Sequence, residues 1–150
     1  MTVRLRHSMI DLGLKVMSRT HRAVLRLSGR RFVHSVFGMP VVELRTIGRM
    51  TGRMRSTTLT TPVHDEDRVV LVASKGGGDR DPEWYRNLTV TPDIDVVING
   101  ETRRLRARTA SAAEKAALWP RIVASYEGYG RYQGKTERDI PVVICENRPL

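Results

Sequence analysis

The sequence predicts an α+β protein built on an antiparallel sheet. Three observations carry that expectation. Short runs rich in β-branched residues are bounded by turn signals, an Asn99-Gly100 pair sits between two of them, and helical patterns are confined to inserted segments. At 150 residues the chain has room for one domain with a core and an appendage, not for two ordinary domains.

The appendage comes first. Leu5, Met9, Leu12 and Val16, joined by Ile10, Leu14, Met17, Val24 and Leu25, recur at helical spacing among arginines, which predicts a basic amphipathic helix over residues 1–31, interrupted near Ser18 to Thr20. That segment holds eight cations against Asp11 alone, so +7 of the formal charge of +10 sits there. The remaining residues, 32–150, form the expected domain. Such a helix either lies on anionic lipid headgroups or packs on its own domain or on a second copy of the chain. Few aromatics interleave the basic run, which argues against nucleic acid as the partner.

The domain's elements follow in order. Val41 to Thr46 forms a first strand and Ser56 to His64 a second, with Pro62 marking an edge or a bulge because proline cannot donate to a ladder. Asp65-Glu-Asp67 turns the chain into a third strand, Val69 to Ser74. Asp81 is placed as N-cap and Pro82 as first residue of a short helix through Trp84 and Leu88. Ile94 to Ile98 and Thr102 to Thr109 flank Asn99-Gly100 as a two-residue hairpin. Ser111-Ala-Ala-Glu114 is a capping box that opens a helix, which Pro120 kinks or ends. Val142 to Glu146 is a terminal strand containing the lone cysteine, Cys145, read as a buried small hydrophobe.

Whole classes of chemistry find no support. One cysteine excludes a disulfide framework, and His7, His21, His34 and His64 show no metal-ligand spacing, so no metal is expected. No Gly-x-Ser-x-Gly elbow, P-loop or dinucleotide fingerprint occurs. With no apolar run of membrane-spanning length, the expected location is cytoplasmic, with peripheral contact at the inner face of the membrane if the basic helix binds lipid.

What remains is a set of loops. Gly48-Arg-Met-Thr-Gly-Arg-Met-Arg55 puts Arg49, Arg53 and Arg55 beside open backbone between two strands, a combination suited to phosphate or carboxylate oxygens, although a solvated hairpin with ordinary surface arginines has the same pattern. Ala73-Ser74-Lys75-Gly76-Gly77 brings a hydroxyl and an ammonium to the tip of a strand. Asp81-Pro-Glu-Trp-Tyr-Arg-Asn87 opens the next helix with two aromatics and an amide. Tyr126, Tyr129 and Tyr132, three apart, are expected on one face of a loosely held helix containing Gly128 and Gly130. Core packing explains such aromatics as well as a site does.

Taken in this order and spacing, the motifs between about Met39 and Glu146 resemble the deazaflavin-dependent nitroreductase family, whose members use reduced coenzyme F420. The resemblance implies a split β-barrel like that of the pyridoxamine-phosphate-oxidase and flavin-reductase superfamily. It implies an oxidoreductase that passes a hydride to a menaquinone-like quinone or a nitroaromatic acceptor. By the same resemblance Arg49, Thr51 and Arg55 hold the coenzyme's phosphate and glutamate tail, and Ser74 and Lys75 meet its ring. Met50, Ser56, Thr57, Thr58, Leu59, Thr60, Val72, Ala73, Glu83, Trp84, Tyr85, Arg86 and Asn87 complete the implied coenzyme pocket. Tyr126, Tyr129 and Tyr132, with Ser74, stand at the reacting side, Tyr129 also touching coenzyme. Two positions differ from the family pattern: Met50 replaces a frequent lysine, and Thr60 a tyrosine. The alternatives are an FMN enzyme on the same fold and a non-enzymatic module that binds anionic lipid.

Overall fold

The computed structural model of the protein describes residues 35–149. The basic helix expected over residues 1–31, and the boundary at its end, lie outside the described residues.

Eight strands form one antiparallel sheet: β1 (Ser35–Val36), β2 (Met39–Ile47), β3 (Met54–Thr60), β4 (Val63–His64), β5 (Arg68–Val72), β6 (Asp93–Ile98), β7 (Glu101–Thr109) and β8 (Val142–Asn147). Their order across the sheet is β1-β2-β6-β7-β8-β5-β4, with β3 branching from β2. Among the described residues three helices are inserted: α1 (Glu83–Val90), α2 (Ala112–Ser125) and α3 (Gly128–Gly134).

Strand periodicity sorts the core into two clusters. Along β5, Val69 and Leu71, then Ala73, enter one cluster with Trp84 and Leu88, while Val70 and Val72 enter the other with Leu118, Ile122 and Tyr129. On β8, Val143 and Cys145 divide from Val142 and Ile144 in the same way. Both strands are therefore covered on both faces, which is why their sequences are continuous apolar runs. β7 is covered on one face only: Leu105 and Ala107 are buried, and Arg104, Arg106 and Arg108 alternate with them on the exposed face. Burial pushes the Cys145 thiol up to about 12, so it stays protonated.

Asn99 and Gly100 both take positive φ, 51° and 77°, in the expected hairpin turn. The capping box forms at α2: Glu114 N donates to Ser111 Oγ at 3.2 Å, and Ser111 N donates to Glu114 Oε1 at 3.0 Å. Arg108 donates to both oxygens of that carboxylate and holds its pKa at about 2.

Three local expectations are corrected and one is narrowed. The second strand is two: β3 pairs with β2 and β4 pairs with β5, so the chain changes partner at Thr61-Pro62. Pro62 has no N–H to lose there, and the buried Thr61 hydroxyl, with its single proton shared between the carbonyls of Val63 and Val70 at 2.9 and 2.8 Å, fixes the corner. Helix α1 starts one residue later than expected, with Pro82 as its N-cap. The Asp81 carboxylate is drawn away by Arg138 at 2.7 Å. Of the two outcomes expected at Pro120, a kink or an end, the end is ruled out, since helix α2 continues through it to Ser125. Leu118 and Ile122 anchor it on either side, and the carbonyl freed by the proline belongs to exposed Ala116, where water can serve it. Finally, the three tyrosines do not share one helical face. Tyr126 is the extended C-cap of α2, at φ −158°, and Tyr129 and Tyr132 lie on α3.

Candidate active site

The loop between β2 and β3 closes on itself. Gly48 N donates to Arg53 O at 2.7 Å and Gly52 N to Gly48 O at 2.8 Å. Thr51 and Arg55 converge on this backbone: a Cβ at Gly48 would stand 2.7 Å from Thr51 Oγ1, close enough to displace the hydroxyl, and in ordinary contact with Arg55 Nε at 3.5 Å. Arg53 and Arg55 are exposed and have no carboxylate partner among the described residues. Arg49 differs. Its backbone N and Nη1 donate to Asn87 Oδ1 at 3.2 and 3.0 Å, and Nη1 meets Glu83 Oε2 at 2.7 Å. Asn87 Nδ2 in turn reaches the buried Thr46 hydroxyl at 3.4 Å. The Gly-Arg loop and α1 are thus joined through Arg49, which acts as a brace.

The expected third strand stops at Val72, two residues short of Ser74, which instead caps a turn that meets this group electrostatically. Glu83 has its pKa lowered, first by the hydrogen bond from Arg49 and then by the charges of Arg49, Arg86 and Lys75. Lys75, Gly76 and Gly77 form a 3-10 turn with φ of 46°, 63° and 82°, a left-handed course that opens the chain tip. On its other side the turn packs against α3. A Cβ at Gly77 would fall 2.9 Å from Tyr132 O. The turn therefore links a cationic side to an aromatic side.

The aromatic side is a cluster of three phenols. Tyr126, Tyr129 and Tyr132 meet edge to face at ring separations of 5.6, 6.3 and 6.2 Å. Tyr129 Oη and Thr60 Oγ1 share a hydrogen bond of 3.1 Å. Burial raises the pKa of Tyr129, and burial together with Tyr126 raises Tyr132 to about 12, so both remain neutral hydrogen-bond donors at physiological pH.

Register divides the β3 residues. Thr57 and Leu59 stand opposite Leu44 and Val42 of the first core cluster, on the far side from Tyr129. Ser56, Thr58 and Thr60 share the other face, where Thr60 meets Tyr129. Val72 lies in the tyrosines' cluster, whereas Ala73 and Trp84 fill the first. Tyr85 Oη bonds Thr109 at 2.9 Å, Arg86 pairs with Glu83, and Met50 stands 86% exposed at the loop tip. These residues are spread around the site on both faces of β3 and on α1.

Arg138 is a residue the sequence does not announce. Its guanidinium donates to the carbonyls of Ala73, Ser74 and Gly78 at 3.0 to 3.2 Å and pairs with Asp81, clamping the Ser74–Gly78 turn from behind. It lies in the charged run Lys135-Thr-Glu-Arg-Asp139, which looks like a solvated loop.

The donor set suits an anionic, ring-bearing ligand: unpaired arginines on a glycine loop, a Ser-Lys tip, and aromatic rings beyond it. The sequence profile of the F420H(2)-dependent quinone reductase family matches residues 17–147. The chain belongs to that family. An F420H(2)-dependent quinone reductase of Mycobacterium tuberculosis is 34% identical over 141 residues, 91% of this chain and 93% of the relative. An F420-H2 dependent reductase of known structure superposes with a TM-score of 0.65 at 34% identity, covering 71% of this chain and 94% of that one. A structure described as a domain-swapped dimer gives 0.67 at 32% identity, covering 87% and 96%. The sheet is the split β-barrel of these F420 reductases, and the protein is an oxidoreductase whose cofactor is coenzyme F420.

Proposed function

We propose that the protein reduces a menaquinone-like quinone, with nitroaromatics as alternative acceptors. When bound, the reduced coenzyme supplies the hydride, from C5 of its deazaflavin ring. Arg55 and Thr51, converging on Gly48, would hold the phosphate and tail, with Arg53 adding charge alongside. Arg49 would keep α1 closed on that loop through Asn87 and Glu83. The Ser74 hydroxyl and Lys75 would meet the ring edge. The three phenols would stack on the acceptor and donate hydrogen bonds to its carbonyl oxygens, stabilising charge that develops there. The proton that completes the reduced acceptor would come from solvent or a neighbouring hydroxyl. One observation carries this reading: the Lys75–Gly77 turn touches the tyrosine helix, so a ring resting on the turn has the phenols beside it.

Fluorescence titration tests the coenzyme site. The purified protein should bind reduced coenzyme F420 with micromolar or better affinity, and Arg55→Ala should weaken binding by about 1.5 kcal/mol, roughly tenfold, the lower end for a charge-assisted hydrogen bond because Arg55 is exposed. Copurification with stoichiometric FMN and no coenzyme F420 binding would overturn the reading. An unaltered dissociation constant in folded Arg55→Ala protein would remove Arg55 from the site.

The basic segment of residues 1–31 supports a second element of the reading: delivery of the site to the membrane that holds a lipid quinone. Deleting it should leave turnover of a water-soluble quinone in place while binding to anionic liposomes falls, and binding of the full chain should weaken with salt. Equal sedimentation of both proteins with liposomes would refute that role. A truncated protein that is insoluble would place the segment in the core or in a dimer interface, the second occupant in keeping with the domain-swapped relative.

A further inference from the structure

Phe37 has no role so far, and its geometry is unusual. It occupies the first position of the two-residue turn joining β1 to β2, with φ of 53°, followed by Gly38 at 76°. Asparagine or glycine normally fills that position, and a bulky residue there is an outlier. Burial does not compensate, since Phe37 is 66% exposed. What the ring does make is a parallel stack on Tyr126, with centroids 4.6 Å apart and planes inclined by 10°. All contacts among the three tyrosines are edge to face. The face of Tyr126 is thus covered by a flat ring from outside the cluster, in the arrangement a planar acceptor would adopt. Strand β1, on the far side of the turn, is two residues long and makes two register pairs with β2.

We propose that Phe37 is a specificity-determining residue that stands in for the acceptor on Tyr126 and is displaced when an acceptor stacks there. This rests on the reading of the tyrosine cluster as the acceptor side. An incoming ring must replace the Phe37 contact as well as make its own. Small or weakly stacking rings fail that exchange, and extended planar quinones succeed. Gly128 adds to the fixed setting of the slot: a Cβ there would stand 2.3 Å from the Tyr126 ring, so glycine is what allows the ring to lie where Phe37 covers it.

The test uses the full chain, with menadione as the acceptor probe. Phe37→Ala removes the ring, and Phe37→Asn removes it while supplying a residue the turn favours, so agreement between them separates the ring from backbone strain. With reduced coenzyme F420 saturating, both should lower the KM for menadione by about two- to tenfold, the worth of one ring stack, with kcat moving less than KM. The chain has only 2 phenylalanines, so 4-fluorophenylalanine labelling gives two 19F resonances, and Phe37→Asn assigns them. Menadione should shift the Phe37 resonance as the stack opens. A raised or unaltered KM, or a Phe37 resonance that ignores saturating menadione, would overturn the proposal. The resonance is read with and without coenzyme, so failure of coenzyme binding counts against the wider reading while displacement of Phe37 is still scored.

Discussion

Gly77→Ala should disrupt the junction on which the site depends. The added Cβ would stand 2.9 Å from Tyr132 O and 3.1 Å from Tyr132 Cα, both backbone atoms that no rotamer change can move, and φ at this residue is +82°. Either the turn retreats from α3 or the helix shifts, and the cationic and aromatic sides separate. A loss of about 2 to 4 kcal/mol is expected, the sum of left-handed strain and a steric clash. The matched control is Gly100→Ala, where φ is +77° and nothing lies within 4 Å of the added carbon. That variant isolates strain and should cost about 1 kcal/mol. Denaturant midpoints read the difference, and coenzyme titration reads the site. If Gly77→Ala matches Gly100→Ala in stability and wild type in affinity, the turn and α3 are not coupled.

The features legible in the sequence are those set by local chemistry. Asn99-Gly100 specifies its turn, Ser111 and Glu114 their capping box, and the apolar run through Cys145 a strand, because each depends on residues close in the chain. The order of the loop motifs is likewise a property of sequence, and it identified the family. Features requiring knowledge of distant partners were lost. Asp81 fits an N-cap, but the cation that removes it, Arg138, is 57 positions away. Tyrosines three apart imply one helical face only if the helix continues, and α2 ends at Ser125. The resemblance assigns Ser56 to Thr60 to the pocket together, whereas pairing with β2 sends Thr57 and Leu59 to one side and Ser56, Thr58 and Thr60 to the other. Arg49 looked like a free anion ligand equal to Arg55, and only the fold shows that Asn87 and Glu83 engage it.

Arg138 is where that long-range information has its largest expected consequence. Its side chain is 14% exposed and that of its partner Asp81 35%. It supplies hydrogen bonds to three carbonyls of one turn, at Ala73, Ser74 and Gly78. Arg138→Ala removes the whole set at once and leaves the Asp81 carboxylate without its guanidinium, so about 2 to 4 kcal/mol of stability should be lost, most of it from the carbonyls left without a donor and the rest from a partly exposed ion pair. Arg138→Lys retains the charge but not the planar fork that reaches several acceptors, and it should recover only part of the loss. Asp81→Asn removes the charge pairing while leaving the three carbonyl bonds, and should be milder than Arg138→Ala. In Arg138→Lys protein that remains folded, coenzyme affinity should fall because Ser74 and Lys75 are presented by the turn the guanidinium clamps. Chemical denaturation and coenzyme titration across the three variants test this order. Equal stability of the alanine and lysine variants would mean that the fork geometry is irrelevant. Wild-type coenzyme affinity in folded Arg138→Lys would mean that the turn keeps its shape without the clamp.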